Sequence, residues 1–144
     1  MKKLLKLSTL LLTLVLLFNF AACSSFGKVK KALKDIGYEV VGTEESDLAK
    51  DAKNDERVAN VHVLYNNKTL TVVVVFEFRA TDELVDYFKD NDTLKGLVKD
   101  IKEDGTVDEI YAALKETGLV YKNCIVAPII GLDAGNVLKA IKEL

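Results

Sequence analysis

Apolar residues recur at helical spacing just after the first two dozen residues of the chain. Phe26, Val29, Leu33 and Ile36 lie three or four positions apart, with lysines between them. This spacing predicts an amphipathic helix. Gly37 follows directly, and glycine is the residue that most often ends a helix.

Weaker helical patterns appear further along the chain. Most of them begin at residues that favour helix starts, one ends near a glycine and one ends at a glycine. The predicted helices are a weak one over residues 43–53, one starting at Thr81, one over residues 94–101 ending near Gly105, one starting with the Thr106–Glu109 capping box and ending at Gly118, and a last one capped by Asp133.

A β-hairpin is the clearest signal in the sequence. Residues 57–65 and 68–79 are rich in Val and Phe and flank Asn66-Asn67, and asparagine tolerates the positive φ that a two-residue turn requires. Alternation predicts a wholly apolar face and a mixed face. The apolar face contains Ala59, Val61, Val63, Tyr65, Leu70, Val72, Val74, Phe76 and Phe78. The mixed face contains Asn60, His62, Leu64, Thr69, Thr71, Val73, Val75, Glu77 and Arg79.

These elements together predict an α+β domain. Residues 38–41 and 120–130 read as further strands, and Pro128 belongs at a sheet edge or just outside the sheet because it cannot donate to a ladder. We expect a three- to four-stranded antiparallel or mixed sheet built on the hairpin, with helices on at least one face. Residues 38–126 are compatible with a ferredoxin-like β-α-β-β-α-β arrangement.

The first 22 residues have the layout of a secretory signal peptide. Lys2, Lys3 and Lys6 precede an apolar segment over residues 7–18, and small residues follow. The alternative is a transmembrane helix, but residues 7–22 number only 16, whereas a spanning helix needs roughly 20.

Phe20-Ala21-Ala22-Cys23 resembles the lipobox of bacterial lipoprotein precursors, with Phe20 where leucine is usual. The resemblance implies that the thiol of Cys23 receives a diacylglyceryl group and that the chain is cut before this cysteine. Two or three acyl chains form a durable anchor, because each buried methylene contributes about 0.8 kcal/mol. The implied location is the extracytoplasmic side of the cell membrane, or the outer membrane of a Gram-negative cell.

The expected organisation has three parts. Residues 1–22 are the removed signal peptide, residues 23–25 are the lipidated N-terminus and a short tether, and residues 26–144 are a single α+β domain. This domain loosely resembles small uncharacterised bacterial lipoproteins that have a helix, a Gly-Tyr-x-Val step, here Gly37-Tyr38-Glu39-Val40, and a hairpin. That resemblance implies no activity.

Charge and residue types narrow the function. Without residues 1–22 the chain has 17 basic and 22 acidic residues, so it lacks the basic excess that nucleic-acid binding requires. His62 is the single histidine, and Cys124, once Cys23 is lipidated, is the single free thiol. Cys124 lies in an apolar run and is expected to be buried. We expect no cofactor and no metal.

Four short features of the sequence are candidate sites. His62 could act as a general base, but an ordinary histidine on a strand is the favoured interpretation. Asp90-Asn91-Asp92 begins like a calcium loop, but Leu94 and Lys95 interrupt the pattern, so a helix break is favoured. The glycines before the last helix suit capping more than phosphate binding. Glu77 and Arg79 are expected to pair.

The preferred interpretation is a non-catalytic binding or interaction module held at the membrane through Cys23, with an unidentified protein or small ligand as partner. The candidate interaction face consists of His62, Leu64, Thr71, Val73 and Val75. In the alternative, the N-terminal or C-terminal helix covers this face and makes it core. Rival functions are a small cell-envelope hydrolase that uses carboxylates, and an accessory subunit of a transport or secretion complex.

Overall fold

A computed structural model describes residues 25–144, so the predicted signal peptide and the predicted lipidation site at Cys23 lie outside the described residues. The α-helices are α1 (Ser25–Asp35), α2 (Asp47–Ala52), α3 (Thr81–Asp90), α4 (Asp92–Leu97), α5 (Val107–Thr117) and α6 (Ala134–Lys142), and a 3-10 turn spans Thr43–Glu45. The strands are β1 (Glu39–Val41), β2 (Val58–Asn66), β3 (Thr71–Phe78), β4 (Val120–Tyr121) and β5 (Cys124–Ile130).

The sheet has five strands in the order β1-β2-β3-β5-β4, and every pair is antiparallel. The predicted α+β class is confirmed, but the predicted number of strands is too low. The ferredoxin-like arrangement is wrong, because it would place β1 inside the sheet between two other strands. Here β1 is an edge strand that pairs only with β2.

The central hairpin has the predicted faces but a different register. Asn66 pairs with Thr71, so the loop contains residues 67–70 rather than two residues. A four-residue loop preserves the alternation of a two-residue loop, so the paired side chains of residues 60–66 and 71–78 point to their predicted faces, whereas Leu70 lies exposed in the loop. The partners shift by four positions, and His62 lies opposite Val75 instead of near Thr71.

A bulge near the start of β2 changes one further assignment. Val58 pairs with Phe78 and Asn60 with Glu77, which leaves Ala59 as the extra residue. Val58 therefore faces the core and is buried, whereas Ala59, predicted on the apolar face, is exposed.

Three predicted elements are interrupted. The weak helix predicted over residues 43–53 is divided by extended Ser46 into the 3-10 turn and α2. Residues 120–130 form the β4–β5 hairpin, not one strand, because the chain reverses at Lys122 with φ of 50°. β4 pairs only with Cys124 and Ile125, so Pro128 lies where β5 has a neighbouring strand on one side. The helix predicted over residues 94–101 ends at Leu97, and Val98 is extended.

Helix capping follows the sequence most closely in α5. The Thr106 side chain accepts from the Glu109 backbone N–H, and the Glu109 carboxylate accepts from the Thr106 backbone N–H. Gly118 ends the helix in the left-handed conformation, with φ of 82°. The predicted capping box is confirmed.

Helices cover both faces of the sheet. On the first face, α2, α3, α4 and α5 close a core with the apolar hairpin face, including Val63, Val74, Phe76, Phe78, Leu84, Phe88, Leu94, Ile110 and Leu114. On the second face, α1 and α6 close a smaller core that contains Val29, Leu33, Tyr38, Leu64, Val73, Val75, Cys124, Val126, Val137 and Ile141. The result is a three-layer domain with two separate cores.

Candidate functional site

The candidate interaction face is not open. Leu64, Thr71, Val73 and Val75 are fully buried, so the predicted exposed patch is wrong. The alternative, that terminal helices cover this face, is what the structure shows. The physical reason is that the apolar sides of α1 and α6 have no other surface to cover, and they bury Val and Leu side chains that water would otherwise contact.

His62 lies at the margin of this covered face. Its side chain is 26% exposed, and Nε2 is 2.9 Å from a Glu77 carboxylate oxygen. The ring of Phe26 stacks on the imidazole with centroids 3.5 Å apart and planes 7° apart. His62 therefore connects the first turn of α1 to the sheet, because its ring stacks on Phe26 of α1 and its Nε2 contacts Glu77 of β3. The predicted pairing of Glu77 with Arg79 is wrong, since Arg79 donates to the Glu56 carbonyl.

Cys124 lies opposite Glu77 on the neighbouring strand. Its thiol is fully buried and forms no disulfide in the described chain. Burial, together with the charge of Glu77, raises the pKa of Cys124 to about 12. The thiol is protonated at neutral pH, so it lacks the thiolate that nucleophilic catalysis and metal binding require. The prediction that Cys124 is a buried residue is confirmed.

A second polar cluster lies at the hairpin end, which we define as the end of the sheet formed by residues 66–71. The Tyr38 hydroxyl donates to Asp133 Oδ2 at 2.9 Å, and Asn136 donates to Asp133 Oδ1 at 2.6 Å. The Asp133 backbone N–H donates to the hydroxyl of Thr71 at 3.3 Å. Asp133 precedes α6 as predicted, but its carboxylate binds side chains rather than capping the helix backbone.

This cluster was not anticipated from the sequence. Tyr38 and Asp133 are 95 residues apart, so no local spacing connects them. Burial is the main cause that raises the pKa of Tyr38 to about 12, and the bond to Asp133 adds to it. The cluster joins the end of α1, the hairpin and the start of α6, and its buried groups bind one another. That arrangement stabilises the fold.

Arg57 organises an acidic cleft on the opposite side of the domain. Its guanidinium pairs with Asp55 at 2.8 Å and with Asp90 at 2.7 Å, and it lies 5.3 Å from the centre of the Tyr87 ring. The bonds from Arg57 lower the pKa of Asp55, which keeps this carboxyl ionised. A carboxylate that is already bridged by arginine is poorly suited to act as a general acid.

The Asp90-Asn91-Asp92 segment forms a helix break, as predicted. α3 ends at Asp90, Asn91 accepts from the Leu94 backbone N–H and so caps α4, and Asp92 pairs with Lys95. Over residues 25–144, no three His, Cys, Asp or Glu side chains come together as a metal site would require. The described side chains of this segment are thus used within the fold.

Exposed apolar side chains collect at the hairpin end. Leu70, Ile130 and Leu132 are 63%, 60% and 98% exposed. Ile130 pairs with Val72, and a Cβ placed on Gly131 would lie 2.8 Å from the Leu70 carbonyl, so the two chain segments touch. α1 runs toward this end, because Phe26 contacts His62 near its start while Gly37 approaches Asn66. The apolar patch therefore lies at the far end of α1 from Ser25.

No helix in the described part of the chain, residues 25–144, is both long enough and apolar enough to cross a bilayer. Comparisons of the sequence with protein-family models and with curated proteins, and of the structure with solved structures, found no match.

Proposed function

We propose that this protein is a bacterial envelope lipoprotein, held on the extracytoplasmic side of the membrane by lipid on Cys23, whose domain acts without catalysis as a binding or interaction module. The observation that carries the proposal is the N-terminal pattern: a cationic start, an apolar segment over residues 7–18, and Phe20-Ala21-Ala22-Cys23. Such a pattern directs export and thioether lipidation rather than membrane spanning.

The start of the folded domain is compatible with this anchor. α1 begins at Ser25, two residues after Cys23. A domain attached so closely behind its lipid stays near the bilayer surface.

The non-catalytic part of the proposal rests on how the reactive side chains are used. His62 is held between Phe26 and Glu77, the thiol of Cys124 is buried and protonated, and Asp55 is bridged by Arg57. The exposed apolar patch at the hairpin end supports an interaction role, because clustered exposed apolar residues often mark contact surfaces.

Two alternatives belong to the same compartment. A carboxylate-dependent hydrolase requires one carboxyl group that stays protonated beside one that is ionised, and Arg57 favours the ionised form in the acidic cleft. An accessory subunit of a transport or secretion complex requires the same anchor and a partner surface, and the interaction proposal includes it as a special case.

The anchor is tested by expressing the full-length chain in a bacterium with Cys23→Ala and comparing it with the unchanged chain. We expect the unchanged protein in the membrane fraction, with a mass that shows loss of residues 1–22 and addition of acyl chains. Cys23→Ala should lose both processing and acylation. Cys124→Ala is the matched control and should behave like the unchanged protein. An unmodified thiol at Cys23 with the leader still attached would refute the proposal.

A further inference from the structure

Charge is divided unequally between the two helix layers. α1 and α6 together have six lysines and one aspartate, a net charge of +5. The four helices on the other side of the sheet, α2 to α5, have four lysines and ten acidic residues, a net charge of −6. An overall acidic domain thus presents one distinctly basic side.

Five of the six lysines of that side are exposed, and Lys30 is half-buried. Val29 and Leu33 of α1, like Val137 and Ile141 of α6, are buried against the sheet. The opposite surface of the two helices exposes Lys28, Lys31, Lys34, Lys139 and Lys142, which we call the basic helix face.

No ion pair among residues 25–144 holds these lysines, although Glu39 lies near Lys34 and Glu143 near Lys139. The ion pairs among residues 25–144 involve Lys50, Arg57, His62 and Lys95, and none involves a lysine of α1 or α6. Asp35 is the one acidic residue in the two helices. The positive potential of the basic helix face is therefore available to an external anionic surface.

We propose that the basic helix face lies on the anionic lipid headgroups of the membrane that holds the protein. This inference rests on the proposed anchor at Cys23. The lipid attaches two residues before α1, and a helix of 11 residues is about 16 Å long. Most of α1 is thus within reach of the headgroups when the acyl chains are inserted.

Charge complementarity selects this side over the others. A lysine near an anionic bilayer contributes about 1 kcal/mol, equivalent to roughly a fivefold preference for the docked state. The layer formed by α2 to α5 would be repelled by the same surface and faces away from it. Anchor and charge together orient the domain, with lipid supplying attachment and lysines supplying the second contact that stable peripheral binding uses.

The test uses the natural lipidated protein, purified in detergent and reconstituted on vesicles of phosphatidylcholine, either alone or mixed with phosphatidylglycerol. Exposed lysines are acetylated in trace amounts and located by mass spectrometry. On phosphatidylglycerol-containing vesicles we expect the lysines of the basic helix face to be acetylated at about one fifth, or less, of their rate on phosphatidylcholine vesicles. The difference should be lost at high salt. Lys53 and Lys115, exposed on the other side of the domain, should react equally on both vesicles.

Variants distinguish orientation from general charge effects. Lys28→Gln with Lys31→Gln should remove the protection of the remaining lysines of the basic helix face. Lys53→Gln with Lys115→Gln changes the net charge equally and should leave that protection intact.

The possible failures are distinguishable. If the protein floats with both vesicles but the basic helix face reacts equally on each, the orientation is wrong and the anchor stands. Protection that is the same on phosphatidylcholine alone also overturns the inference, since it does not depend on headgroup charge. If the protein floats with neither vesicle, the anchor fails and the orientation fails with it.

Discussion

Tyr38 shows how a single hydroxyl joins distant parts of the chain. Its ring is buried in the core beneath α1 and α6, and its hydroxyl donates to the nearly buried carboxylate of Asp133. Removing one partner from a buried hydrogen bond leaves the other without compensation for lost solvation, which costs more than the bond itself contributes. The pair is therefore a sensitive point for stability.

Tyr38→Phe should lower the free energy of unfolding by about 1–3 kcal/mol, because Asp133 loses one donor while the ring packing is kept. Urea denaturation monitored by circular dichroism measures the change. Tyr65→Phe is the matched control, since the ring of Tyr65 is half-buried, and we expect a change below about 0.5 kcal/mol. Equal effects of the two substitutions would show that the bond to Asp133 contributes little.

At the scale of elements, side-chain alternation predicted faces better than partners. The paired residues of the hairpin lie on the expected faces because the predicted loop of two residues and the observed loop of four residues are both even in length. The register depends on loop length, and the four-residue loop ends in Leu70, a residue with φ of 54° that no propensity rule favours there. The turn at Lys122 was not predicted for the same reason, because lysine is not a residue that favours positive φ.

The candidate site was harder to predict than the elements. The mixed face of β2 and β3 contains Leu64, Val73 and Val75, which suits either a buried face or a contact surface. The sequence shows that α1 and α6 are amphipathic, but periodicity does not state which sheet face an amphipathic helix covers. The Tyr38–Asp133 pair and the Arg57 cluster depend on chain reversals that bring residues far apart in sequence together.

The strained loop makes a prediction about the hairpin. Leu70 has positive φ and is 63% exposed, so its side chain packs little while its backbone is unfavourable. Leu70→Asn should raise the free energy of unfolding by about 0.5–1 kcal/mol, because asparagine tolerates this conformation. The measurement is the urea midpoint.

The control for the loop is Leu132→Asn, which makes the same chemical change at a side chain that is 98% exposed and whose backbone φ is not positive. It should leave the urea midpoint unchanged. A gain of equal size at both positions would attribute the effect to the removal of exposed leucine rather than to relief of strain.

At the scale of the whole molecule, three acidic protons are held inside the two cores. Burial is the main cause that raises the pKa of Tyr38 and of Tyr87 from 10.0 to about 12, and that of Cys124 from 9.0 to about 12. In the unfolded chain these groups lose their protons near their ordinary pKa values, so over this interval the folded state binds more protons than the unfolded state. Stability then falls as pH rises.

We therefore expect full stability from these groups below pH 9.0 and a progressive loss between pH 9.0 and about 12. One group that is protonated only in the folded state costs about 1.4 kcal/mol for each pH unit in that interval. Urea midpoints measured across the alkaline range test this expectation. Cys124→Ala should flatten the fall that begins nearest pH 9.0. A midpoint that is constant up to about pH 11 would mean that water reaches these groups in the folded protein, and that the two cores are less tightly closed than their burial indicates.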